Sequence, residues 1–513
     1  MNTVLRGTTA LVCLSFALPA AAQDDAGFLG TLILTAGKRD LSFGSAVSRT
    51  VIDEEEIEDR QAATIAQLID SVPSVTLVNG TTPQGSGINI RGFGANTTFG
   101  TDQKIAVQVD GASVGSEELY RIGTQLFTDP LLYREVEVLR GTIGSFAYGW
   151  GVVGGVVRLE TKDPAGFTGG LAGFGGSQSF EFASNGDGFV SSTNLAWQPT
   201  ERAGFLLNYT WRTQDNLEDG DGDRIGNSAF TTPSGMAKAV FTLGDDRDHE
   251  LSFSYSQTVA DDKDVPYDQF DVTSGAFGNV DRLVNTRQAV AEWAWNPASD
   301  LIDLTANLSY ADQQIEMEFV PGSTPFPPSP GLLALTNADH RYETAKLTVS
   351  NRALFATGPV EHDLLAGVEL LRRTRADEAS APGGTDDRLA LYAVNAMTFG
   401  GLTVTPALRY ESSTVDSSTG AGAFDNDALM GGLALGYDFD NGLSVFASAA
   451  YTEGLPIIDD LGTSAASIAR MNTTEKSRTF EIGAEYSGEG VFATGDTFSV
   501  RGNLYDTTLW DIT

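Results

Sequence analysis

The chain has 513 residues but one cysteine and three histidines. The cysteine, Cys13, falls in an apolar stretch at the N-terminus, which excludes a disulfide framework, a thiolate metal centre and a cysteine nucleophile. No segment approaches the roughly 20 consecutive apolar residues that a membrane-crossing helix needs. The apolar run Ala10 to Leu18 is too short; with Arg6 before it and Ala20-Ala21-Ala22 ahead of Gln23, residues 1–22 read as a secretory signal peptide. Any span of a bilayer must therefore be made of strands. Basic residues are scarce too: 32 Lys and Arg against 68 Asp and Glu give a net charge of −36. That balance excludes nucleic acid as a partner, because a phosphate backbone is gripped by clustered Lys and Arg. No histidine is paired with a nucleophile and no metal-ligand spacing occurs. In Asp219-Gly220-Asp221-Gly222-Asp223 the calcium-loop register fails, since position 6 is Arg224 and position 12 is Phe230. The reading is no enzyme, no cofactor and no metal.

Glycine, by contrast, is abundant, at 57 residues, and it punctuates short alternating segments. Asp53 to Val72 is predicted as one helix. Asp53 would cap it, Glu54, Glu55 and Glu56 suit its positive end, and Ile57, Ile65, Leu68, Ile69 and Val72 share a face. Pro73 stops it. Extended segments follow at Ser74 to Val78, Ile88 to Arg91 and Ile105 to Val109, so residues 43–165 read as a small αβ domain.

An ordered series crosses that domain: Ile88-Asn89-Ile90-Arg91-Gly92-Phe93-Gly94, Val109-Asp110-Gly111, Val136-Glu137-Val138-Leu139-Arg140-Gly141, Tyr148-Gly149 and Gly154-Gly155-Val156-Val157. In order and spacing it resembles the plug of TonB-dependent outer-membrane receptors, and a plug implies its barrel. The resemblance implies that Arg91 and Arg140 pair with carboxylates on the inner barrel wall, with Glu481 in Phe480-Glu481-Ile482-Gly483 matching a wall position. A planar guanidinium holds a carboxylate bidentately, so such a pair fixes orientation yet can be released. In residues 23–42, Thr31-Leu32-Ile33-Leu34-Thr35-Ala36 resembles the TonB box, offered to the periplasmic TonB coupling protein and its inner-membrane motor. An unpaired segment with alternating apolar side chains can add as a strand to another protein's sheet.

From residue 166 to 513 the chain alternates. Phe205, Leu207, Tyr209 and Trp211 interleave with Leu206, Asn208, Thr210 and Arg212; Leu251, Phe253 and Tyr255 interleave with serines. One greasy and one wet face are what a barrel strand needs between lipid and lumen, and Tyr209, Trp211, Tyr255, Tyr310, Tyr410 and Tyr451 suit an interfacial girdle. The expected fold is a transmembrane antiparallel β-barrel with an N-terminal αβ plug in its lumen. Short turns near 200–202, 245–248, 297–300, 358–359, 400–401, 440–442 and 493–496 are assigned to the periplasm. Long connections near 213–232, 260–283, 320–338, 375–386, 412–427 and 453–474 are assigned outside. Roughly 15 strands can be counted where plugged transporters use about 22, which implies an incomplete barrel and a C-terminally truncated sequence.

The implied function is energy-coupled uptake, across the outer membrane, of a scarce nutrient such as a ferric siderophore or other iron chelate. The alternatives are a haem, haemoprotein or cobalamin receptor of the same family, and a passive channel. Ligand contacts are expected at the plug apex, from Phe99, Glu118, Tyr120 and Arg121. His340 is the histidine on the outer half of the barrel, because His249 and His362 lie at short turns.

Overall fold

The computed structural model describes residues 48–78, 87–95, 104–114, 128–149, 151–268, 275–376, 382–420, 422–462, 464–489 and 497–512. The first domain opens with β1 (Ser48–Asp53), α1 (Glu54–Arg60) and α2 (Ile65–Ile69). The predicted single helix is thus two. Asp53 does cap α1, its Oδ1 accepting from the Glu56 amide at 3.0 Å. Gln61 then takes a left-handed φ of 51°, and Thr64 starts α2 by accepting from the Gln67 amide at 3.1 Å. The break allows Ile57 and the group Ile65, Leu68 and Ile69 all to be buried, and Arg60 spans it with a 2.9 Å hydrogen bond to the Leu68 carbonyl.

The domain continues with β2 (Val75–Val78), β3 (Gly87–Ile90), β4 (Phe93–Gly94), β5 (Ile105–Val109), β6 (Ala112–Ser113), β7 (Tyr133–Arg140) and β8 (Gly155–Thr161). One sheet runs β1-β7-β8-β5-β6, with β5 and β8 parallel, and a second runs β2-β3-β4. β7 and β8 alternate, Val136 and Val138 on one and Val157 and Leu159 on the other facing the core, where all four are buried with Ile52, Leu68 and Ile69.

After α3 (Pro164–Thr168) the wall begins with β9 (Gly173–Ala183), slightly later than residue 166. It proceeds through β10 (Gly188–Thr200), β11 (Ala203–Gln214), β12 (Phe230–Leu243), β13 (His249–Pro266), β14 (Asn279–Trp295), β15 (Leu304–Phe319), α4 (Pro330–Thr336), β16 (His340–Thr357), β17 (Val360–Arg375), β18 (Gly384–Phe399), β19 (Leu402–Ser417), β20 (Ala423–Asp438), β21 (Leu443–Gly454), α5 (Ala465–Arg470), β22 (Glu475–Glu489) and β23 (Thr497–Trp510). These 15 strands pair in sequence order, all antiparallel, with β9 and β23 at the two ends of the sheet. Alternation sorts the faces as expected: Leu207 and Tyr209 are more than half exposed on the outside, whereas Asn208, Thr210 and Arg212 are buried inside.

Two expected loops are largely strand. β13 runs on to Pro266, bending at a bulge where Asp264 has φ 53°, and β19 and β20 leave only residues 418–422 between them. In these extensions the outward side chains, such as Asp261, Lys263 and Asp416, are polar while Ala260, Val265, Val280, Val415 and Phe424 are buried inward, so the greasy-out alternation of a lipid-facing strand does not mark them. Near the opposite rim, Phe174, Trp197, Phe205, Phe241 and Phe253 form a ladder with neighbouring ring centroids 5.5–6.5 Å apart. No helix among the described residues is long and apolar enough to cross a membrane.

Candidate functional site: the interface between plug and wall

β3 and β4 are joined by Arg91 and Gly92, both at positive φ (58° and 91°), as a two-residue type I′ hairpin requires. The tip is held by the Arg91 amide donating to the Ser74 carbonyl at 2.8 Å and the Gly92 amide donating to Asn89 Oδ1 at 2.9 Å. That turn aims the Arg91 side chain at the wall. Its Nη1 and Nη2 donate to Glu481 Oε2 and Oε1 on β22 at 2.9 and 2.7 Å, and the Tyr505 ring of β23 lies 4.4 Å from its centre. The two side chains are 2% and 8% exposed, so this is a desolvated, two-pronged pair spanning plug and barrel.

Arg140 does not join a wall carboxylate, contrary to the expectation from the resemblance. Its guanidinium stays within the plug, donating to the Pro73 carbonyl and to Thr50 Oγ1, both at 3.0 Å. Glu481 is already taken by Arg91. Burial, then repulsion from Arg91 and Arg501, opposed by Glu481, pushes the Arg140 pKa down to about 10.

Other contacts to the wall come from residues that sequence reading passed over. Lys104 pairs with Glu475 at 2.6 Å, Asp129 with Arg212 at 2.8 Å, and Asp163, just past β8, with Lys238 at 2.7 Å. The Val109-Asp110-Gly111 motif forms a docking corner: Ser254 donates to Asp110 Oδ2 and Asn307 to the Asp110 carbonyl, both at 2.9 Å. A Cβ on Gly111 would stand 2.9 Å from Asn307 Nδ2, which explains the glycine. The plug members of these contacts, Lys104, Asp110, Asp129 and Asp163, sit at turns or beside strand ends, where a charge reads as solvated.

Above the plug, the inward faces of β16 to β19 carry a buried ladder of charge. Arg409 donates to the Phe146 carbonyl of the plug at 3.3 Å, to Glu369 at 3.1 Å and to Glu411 at 3.0 Å. Arg388 donates to Glu411 at 3.1 Å, to Asp386 at 2.9 Å and to the Pro456 carbonyl at 2.9 Å. Lys346 reaches Ser113 of the plug at 3.0 Å. The ladder thus connects the plug to the connection between β21 and β22.

A family model described as "TonB-dependent Receptor Plug Domain" matches residues 43–156, and one described as "TonB dependent receptor-like, beta-barrel" matches residues 210–512. The chain belongs to the TonB-dependent receptor family. As such a receptor it is an outer-membrane β-barrel protein. It is 24% identical over 462 residues to TonB-dependent heme receptor A of Haemophilus ducreyi, and 24% identical over 361 residues to the hemin receptor of Yersinia pestis. These alignments take in 80% and 70% of this receptor, which spans 60% and 48% of the length of those relatives. Among solved structures, the Serratia marcescens hemophore receptor HasR superposes with TM-score 0.74 at 19% identity, covering 92% of this chain and 74% of that one. The ferric yersiniabactin uptake receptor FyuA of Yersinia pestis superposes with TM-score 0.64 at 17% identity, covering 91% of this chain and 73% of that one.

Of the residues singled out in the sequence, the structure brings Arg91 and Glu481 together. His340 opens β16 on its inward face, buried, two residues before Tyr342. Phe99, Glu118, Tyr120, Arg121 and the segment Thr31 to Ala36 lie outside the described residues.

Proposed function

We propose that this receptor takes up an iron chelate, such as a ferric siderophore, across the outer membrane by drawing energy from the TonB coupling protein and its inner-membrane motor. The observation that carries this reading is the plug lodged against the wall by separable ion pairs, with its first strand at a sheet edge. Among the described residues β1 pairs with β7 alone, in the register Ser48 opposite Arg140 to Asp53 opposite Glu135. Tension on the segment around Thr31 to Ala36 reaches Ser48 first. Peeling β1 would separate Arg49 from Glu137 and withdraw Thr50 from Arg140, whose guanidinium stands beside Arg91. Force at the N-terminus is thereby delivered next to the Arg91–Glu481 pair. Cargo would be met from outside by the apex residues Phe99, Glu118, Tyr120 and Arg121.

A second reading, haem as cargo, is favoured by the names of the relatives above and by His340, a buried inward histidine at the outer end of β16. Uptake of labelled ferric siderophores and of haemin by cells carrying the receptor tests both. Accumulation should require the motor and residues 31–36, while surface binding should require neither. Equal accumulation with and without the motor would leave a passive channel.

A further inference from the structure

The chain between β21 and β22 folds inward. Ile458, Leu461 and Met471 are buried against Val280, Ile315, Met317, Tyr342 and Phe424 of the wall, closing an apolar core across the lumen. In the middle of that core sits a carboxylate. Asp459 Oδ1 accepts from Tyr342 Oη at 2.9 Å and is ion-paired with Arg375, both side chains of that pair being about 95% buried. Among the described residues, Asp459 is the carboxylate that pairs with Arg375. Among the described residues, Lys346, Arg373, Arg388 and Arg409 are buried on the neighbouring inward faces of β16 to β19 together with Glu369, Asp386 and Glu411.

We propose that Tyr342 and Arg375 form a carboxylate-recognition site, filled here by the receptor's own Asp459, and that an iron chelate bearing carboxylates enters by displacing that residue. This rests on the uptake reading above and adds the chemical class of the cargo. Arg375 Nε and Nη2 are held by the Pro382 carbonyl, so Nη1 and the Tyr342 hydroxyl together make a charge-assisted donor pair for one carboxylate, and the group now in it belongs to the segment between β21 and β22. Cargo and segment cannot both hold it. Asp459 therefore acts as an internal competitor, and the apparent affinity for cargo falls with the fraction of receptor in which the segment is undocked. Its foot is tied to the plug through Glu475 and Lys104, so displacement is felt where the plug meets the wall.

Hydrogen exchange across residues 455–474 of the full chain in detergent, titrated with haemin, with haemin dimethyl ester and with ferric citrate, reads the competition. A carboxylate-bearing probe should raise exchange in 455–474; Asp459→Asn should lower the haemin or citrate concentration required at least tenfold, and Arg375→Gln should abolish the response. The ester should be inert. Exchange in 455–474 that no carboxylate probe changes, or that the ester or the Arg375→Gln protein changes equally, overturns the site. Tyr342→Phe, which keeps the packing, should weaken the response without undocking the segment; unaltered sensitivity would also count against it. Motor-dependent uptake with the segment still docked would leave the uptake reading standing and this inference refuted. Displacement by carboxylates with motor-independent flux would do the reverse.

Discussion

Gly141 lies against the guanidinium of Arg91: a Cβ added there would stand 2.7 Å from Nη1 and 3.4 Å from Oε2 of Glu481. Its φ of 86° is itself a conformation that side chains resist. Gly141→Ala should therefore push Arg91 off its partner as well as strain the backbone, with a combined cost of about 1–3 kcal/mol in plug docking. Hydrogen exchange of β3 and β7 in detergent-solubilised receptor measures it. Exchange at the wild-type rate would mean that Arg91 is not held by this turn.

Removing one member of a buried ion pair leaves the other charge without compensation. Arg91→Gln should cost about 3–5 kcal/mol, because Glu481 stays desolvated on β22. Arg91→Gln with Glu481→Gln should recover much of that loss, since two neutral amides can meet where two charges did. The double-mutant cycle on unfolding free energy is the check. Additive losses would show that the pair does not couple plug to wall.

The barrel could be read from the chain because side chains alternate with a period of two and the bilayer sorts them into greasy and wet: Tyr209 and Asn208 declare their faces without help. The wall contacts could not. Arg91 and Glu481 stand 390 positions apart, and only a family resemblance links them; Lys104, Asp129 and Asp163 look like ordinary turn charges until the folded wall sets Glu475, Arg212 and Lys238 opposite. The helix break at Gln61 was hidden by Ala62 and Ala63, good helix formers that tertiary burial overrules. Arg140 misled because Arg91 engages both oxygens of Glu481 while the Pro73 carbonyl and Thr50 hydroxyl offer Arg140 acceptors within the plug.

Glu135 on β7 is opposite Asp53 of β1 and Glu160 of β8. Burial, then Glu160 and Glu137, raises its pKa, against the pull of Arg134 and Arg49. For an acid whose folded pKa is raised, stability is fullest below the unfolded value, about 4.3, and declines as pH climbs through the folded one. The β1–β7 edge should accordingly loosen as pH rises above the unfolded value. Glu135→Gln should remove that slope and tighten the edge at pH 7 by about 0.5 kcal/mol, the size of a cross-strand like-charge term. The readout is amide exchange at residues 48–53 as a function of pH, corrected for intrinsic rates. A slope that persists in the Gln protein would assign it to another group.

Not every buried pair in the lumen binds the plug. Arg282 and Asp262, register partners on β14 and β13, are both 0% exposed, approach only to 3.8 Å, and make no hydrogen bonds through guanidinium or carboxylate. Around them are Val280, Val284, Ile315 and Met317. Poor geometry forfeits the Coulombic gain while the desolvation cost stays, so replacing both with leucine should be neutral or stabilising by about 1–4 kcal/mol, although Arg282→Leu alone should cost about 3–5 kcal/mol. Thermal unfolding in detergent separates these outcomes. The contrast with Arg91 and Glu481 is mechanical: one pair is exchangeable for packing, whereas the other has the geometry of a latch. If the leucine pair melts as low as the single variant, the attraction across 3.8 Å outweighs its desolvation and this distinction fails.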